Sequence, residues 1–234
     1  MKSTWRYLCA ALAAVLCAGA YAVPYPNEEQ FRSAIEKAAG VLKAEGMRLD
    51  IHDAQKVGLA QPLMGAGLNI SSGTCLIFFN TKPEDGLTQV FDAMPEKDLP
   101  IWLGAIAVHE ATHCIEQREA YVHQRFDKVL PPGLKHDGMT IQGYLSVVQS
   151  GAVTTWGEAL ADISSLLYLK KTVPDQWLHF AKGIAAMRRD LAWKWPAHDT
   201  SPWLNQVIAA NPQATADEDM FETAFELRRQ FRPK

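Results

Sequence analysis

The sequence has no excess of positive charge. Lys and Arg number 23 against 26 Asp and Glu, for a formal net charge of −3. Nucleic-acid binding through a basic face therefore has nothing to rest on. No internal repeat or low-complexity segment is present, which argues against a solenoid or a linker-like chain. Cysteine is scarce, with 4 in the chain. Long apolar runs are scarcer still. "LCAALAAVLCAGA" (Leu8 to Ala20) stands alone, and it is shorter than the roughly 20 residues a membrane span needs.

That run has the layout of a signal peptide. Lys2 and Arg6 precede it, and "AYA" (Ala20 to Ala22) offers small residues for cleavage before Val23. An uncleaved anchor is the alternative reading. Residues 1–22 are thus expected to be removed, leaving residues 23–234 as one exported domain, periplasmic or secreted, with no stable membrane span. Loss of Lys2 and Arg6 leaves 21 basic residues against 26 acidic, a net charge of −5. Cleavage also removes Cys9 and Cys17. Cys75 and Cys114 remain, in a compartment that permits disulfides. One bridge is expected, and two buried thiols are the alternative.

The periodicities predict helices over residues 27–45, 100–126, 153–171, 174–195 and 216–231. Asn27 and Gln30 form a capping box for the first. Alternation predicts a strand at 47–52, and the apolar "TCLIFFN" (Thr74 to Asn80) predicts a buried one. Residues 53–67, rich in Gly and Pro, read as loop or irregular strand, and 81–99 as a surface loop. Residues 139–149 are ambiguous. The second helix is apolar almost all round in its first half, then becomes charged and is expected to emerge into solvent. Helix, a few strands, then mostly helices is the pattern of an α+β domain.

The second helix carries "VHEATHCIEQ" (Val108 to Gln117). Positions i and i+4 differ by about 400°, so His109 and His113 point the same way, about 6 Å apart along the axis. Both imidazoles can reach one ion. Glu110 is rotated about 100° from His109, so it can act on a water at the ion without being a ligand. A catalytic zinc wants a third protein ligand and one open position. Glu119 and His123 lie further along the same helix and point away.

"TTWGEALADISSLLYL" (Thr154 to Leu169) supplies a better candidate. Glu158 and Asp162 are again i and i+4, beside an apolar stripe of Trp156, Leu160, Ile163 and Leu167. Buried carboxylates need compensation. A divalent cation serves for Glu158, and an imidazole N–H for Asp162. As donors to a developing oxyanion, His198 in the loop "PAHDTSPW" comes first and Tyr144 second. Arg188 and Arg189 read as a solvated helix face, with a substrate clamp as the alternative.

His109-Glu110-x-x-His113 followed by Glu158-x-x-x-Asp162 resembles the signature of the gluzincin metallopeptidases, the thermolysin- and neprilysin-like class. "GEALAD" (Gly157 to Asp162) is similar to the neprilysin-type form of the second motif. The resemblance covers these two helices. It implies one Zn2+ per chain held by His109, His113 and Glu158, with Glu110 as general base and Asp162 orienting a ligand histidine. It implies a peptide or protein substrate and a zincin-like fold, mostly helical with a small sheet beside the metal helix. It also places the Cys75 strand beside that helix as the cleft edge, and hence Cys75 next to Cys114. A zinc-dependent non-peptidase hydrolase and a protein-binding domain that retains a zinc site are the alternatives.

Overall fold

The computed structural model describes residues 25–59, 63–82, 91, 95–214 and 216–233. The signal-peptide stretch and most of the 81–99 segment lie outside them. The first helix, α1 (Glu28–Ala44), starts as the capping box requires. The Asn27 side chain accepts from the Gln30 N–H and the Gln30 side chain accepts from the Asn27 N–H, each at 2.9 Å. Phe31, Ile35, Ala38 and Leu42 form its buried stripe. Gly46, at φ +69°, turns the chain out of the helix in a conformation that costs glycine little.

Among the described residues three strands follow: β1 (Arg48–Asp53), β2 (Met64–Asn69) and β3 (Thr74–Phe79), in spatial order β1-β3-β2. β1 runs parallel to β3 and β2 antiparallel to it. Two expectations are corrected here. Residues 64–69 form a regular strand although Gly65 and Gly67 lie within it. Pairing with β3 supplies the order that the glycines do not, and the Leu68 N–H donates to the Gln117 side chain at 2.8 Å. And β3, which carries Cys75, is the central strand with both edges paired, so it offers no free edge, whereas the start of the edge strand β2 lines the cavity described below.

The remaining helices are α2 (Leu99–Tyr121), α3 (Phe126–Val129), α4 (Ile141–Gln149), α5 (Thr154–Thr172), α6 (Trp177–Asp190), α7 (Ser201–Ala210) and α8 (Asp217–Gln230). The ambiguous stretch is thus helical, started by Thr140, whose hydroxyl accepts from the Gly143 N–H at 3.1 Å. α6 is shorter than expected, and α7 was not anticipated. The molecule is α+β, mostly helical with one small sheet. α2 and α5 form its centre. α1 and the sheet pack on α2, while α6, α7 and α8 pack on α5.

The second half of α2 does not emerge into solvent. Glu116 and Glu119 are buried. Glu116 is met by Arg228 of α8 at 2.7 Å, and Glu119 by Arg125 and by Lys128 at 3.5 Å. Charge here marks internal pairing rather than exposure. Cys75 and Cys114 are both buried and disulfide-bonded, with Cα atoms 5.6 Å apart, tying β3 to α2 across a separation of 39 residues.

Candidate metal centre

α2 and α5 bring His109, His113 and Glu158 to one point, a group that can hold a metal ion. The His109 and His113 Nε2 atoms are 3.2 Å apart. Glu158 Oε2 lies 3.4 Å from His109 Nε2, and Glu158 Oε1 lies 3.5 Å from His113 Nε2. Donors each about 2.1 Å from one tetrahedral ion sit about 3.4 Å from each other. The two nitrogens, 3.2 Å apart, approach that figure, and with one Glu158 oxygen the three donors lie within 4.8 Å of one another, close enough to share a cation.

The orientation of these ligands is fixed from behind. His109 Nδ1 bonds Asp162 Oδ1 at 2.8 Å, which leaves Nε2 aimed at the ion position. Asp162 is itself saturated. Arg188 donates to it through Nε and Nη2, both at 2.7 Å, and the Thr200 hydroxyl donates to Oδ2. The same Nη2 donates to Glu158 Oε2 at 3.1 Å. One guanidinium therefore fixes a ligand and the partner of another ligand. The solvated-face reading of Arg188 is corrected by this. It lies four residues beyond Ile184, on the buried stripe of α6. Arg189 does fit that reading: it is exposed and pairs with Asp190.

The electrostatics follow from three carboxylates, Glu110, Glu158 and Asp162, facing one guanidinium. Burial foremost pushes the Glu110 carboxyl up to about 7. Burial alone would lower His109, but the Glu158 charge and the Asp162 hydrogen bond outweigh it and raise the imidazole to about 10. Burial, then the neighbouring His109 charge, brings His113 down to about 4. Glu158 is held at about 2 because His109 overrides the opposing effect of burial. Asp162 is held far below the usual range, its burial outweighed by Arg188 and then His109. By its side chains alone, the centre sets Arg188 and a protonated His109 against Glu158 and Asp162.

The centre opens on a cavity of about 620 Å³. Glu110 and His198 both line it, as do Leu63, Met64 and Gly65 at the start of β2. Its apolar wall is formed by Trp102, Ile106, Ile184, Met187, Leu191 and Trp195. His198, on a 3-10 turn (Pro196–His198), has Nε2 3.6 Å from Glu158 Oε1. Tyr144 does not reach the centre. It is buried on α4, with ring centroids 5.5 Å from Tyr121 and 5.6 Å from Phe126. Its candidacy as an oxyanion donor is withdrawn on that ground.

Sequence reasoning missed the parts played by Arg188 and Thr200. The spacing of Arg188 from Ile184 was an available signal, whereas nothing local marked Thr200. No protein-family model matches the chain, and neither a curated protein nor a solved structure does.

Proposed function

We propose that the protein is an exported, zinc-dependent peptidase of the gluzincin type, with its α+β fold arranged as in zincins. The observation that carries this reading is the convergence of His109, His113 and Glu158, their donor atoms within 4.8 Å of one another, with Glu110 beside them on an open cavity. The disulfide between Cys75 and Cys114 favours an oxidising compartment and so favours export.

Zinc bound there would supply Lewis acidity toward the scissile carbonyl and lower the pKa of water toward about 7. The chain supplies the rest. Glu110 takes the proton from the attacking water and passes it to the leaving amine. Burial keeps this carboxylate poorly solvated, and a nearby cation favours its ionised, proton-accepting form. Asp162, locked by Arg188 and Thr200, holds the His109 ring in register. His198 is placed to donate a hydrogen bond to the developing oxyanion. The outer edge of β2 can pair with an extended peptide, which would lie along Leu63 to Gly65.

Digestion of a peptide library with and without chelator tests the reading. Cleavage that chelator abolishes and added zinc restores is expected. Hydrolysis of esters or small amides without peptide cleavage would favour the non-peptidase alternative. A metal-loaded protein inert toward all of these would favour a binding domain, although Glu110 on the cavity has no use in one.

A further inference from the structure

A second cluster of buried charge sits on the same two helices, three residues past His113 on α2 and one to two residues before Glu158 on α5. Arg228 of α8 is its centre, with 0% of its surface exposed. Its Nη1 donates to Glu116 Oε1 of α2 at 2.7 Å and to the Trp156 carbonyl of α5 at 2.9 Å. Its Nη2 donates to the Lys128 carbonyl at 3.3 Å. The guanidinium lies 4.2 Å from the ring centre of Trp156 and 5.1 Å from that of Phe225. On the far side of Glu116, a Cβ at Gly157 would come within 3.0 Å of Oε2. The Glu116 carboxylate is thus clamped between a guanidinium and the bare backbone of α5. Glu116 follows the ligand His113 on one helix, and Gly157 directly precedes the ligand Glu158 on the other.

We propose that Arg228, Glu116 and Gly157 are positioning residues for the metal centre. Together they set the spacing of α2 and α5 and so hold Glu158 in reach of His109 and His113. This rests on the reading of those three side chains as metal ligands. The geometry explains the residue types. Nη1 serves a carboxylate on one helix and a carbonyl on the other while Nη2 reaches the Lys128 carbonyl, a spread of donors over two nitrogens that the single nitrogen of an ammonium does not reproduce. A Cβ at Gly157 would push that carboxylate away from α5 by a few tenths of an ångström. Stability alone is a poor account of the cluster, because buried ion pairs replaced by apolar groups often cost nothing. Fixing one geometry is the role proposed for it.

Zinc affinity, measured by chelator competition, tests the proposal alongside the visible spectrum of the Co2+-loaded protein. Arg228→Met and Gly157→Ala are compared with Phe31→Leu, a core change where Phe31 stacks on Phe79, 5.5 Å between centroids. Both cluster variants should bind zinc about 10-fold more weakly or worse, the loss typical when groups behind metal ligands are removed, and should alter the Co2+ bands. Phe31→Leu should lower the melting temperature while leaving affinity and spectrum unchanged. If Arg228→Met does not fold, Gly157→Ala decides alone. Parent-like affinity in the folded variants overturns the proposal. A parent protein that binds no metal overturns the site reading, and this inference with it.

Discussion

Helices α2 and α5 bury two charge clusters that are balanced in different ways. Around Arg228 each carboxylate has a side-chain cation: Glu116 has Arg228, and Glu119 has Arg125 and Lys128. Around Asp162, three carboxylates (Glu110, Glu158 and Asp162) share the single guanidinium of Arg188. With both imidazoles neutral, as metal ligation requires, that leaves an excess of two negative charges, and without an ion a protonated His109 offsets one of them. Buried charge left uncompensated is expensive. The first cluster is complete within the protein, whereas on the proposed reading a divalent cation completes the second. On that reading one builds the scaffold and the other performs the chemistry.

The sharpest way to separate them is to change a carboxylate in each. Glu110→Gln keeps shape and hydrogen bonding but cannot accept a proton. It should keep its metal and lose turnover by about 10²- to 10⁴-fold in steady-state assays. Glu119→Gln, in the balanced cluster, should leave turnover of the metal-loaded protein unchanged and cost about 1–3 kcal/mol of stability in urea unfolding. A large loss of turnover in Glu119→Gln would erase the contrast.

The disulfide belongs on the scaffold side. A double Cys75→Ser, Cys114→Ser variant should lose roughly 3–4 kcal/mol in the chain-entropy model and melt lower. It should still bind zinc, because Cys114 faces β3 rather than the ligands. Loss of metal from the folded variant would break that division.

Asp162→Asn tests the support behind the ligands. It should weaken zinc affinity by roughly 10- to 100-fold with the fold intact by circular dichroism. Unchanged affinity would mean that the His109–Asp162 bond does not prepare the ligand.

The smallest effect is a proton count. A ligand imidazole must present a bare nitrogen, while its carboxylate neighbours raise His109 to about 10. Near pH 7 the ion therefore has to displace a proton, so affinity should weaken as pH falls. Calorimetry in buffers of different ionisation enthalpy should show release of about one proton per ion.

Much of the centre could be read from sequence because it is encoded by local spacing. Two i, i+4 pairs name His109, His113, Glu158 and Asp162, and helix geometry does the rest. The capping box at Asn27 is legible for the same reason. What escaped depends on partners far along the chain. Glu116 looked solvent-bound because its cation, Arg228, is 112 residues away. Arg188 looked like a surface charge because its burial makes sense only once Asp162 is known to face it. β2 looked like a loop or an irregular strand because its order comes from β3 and Gln117, not from its own glycines. α7 differs: Pro202 in its first turn and Asn211 in the left-handed region just past its end were usable helix signals.

The most direct test is the metal content of the purified protein and of His113→Ala, by elemental analysis after removal of loosely bound ions. The account predicts about one zinc per chain in the parent and nearly none in the folded variant. Equal metal in both, or none in a parent supplied with zinc, would contradict it.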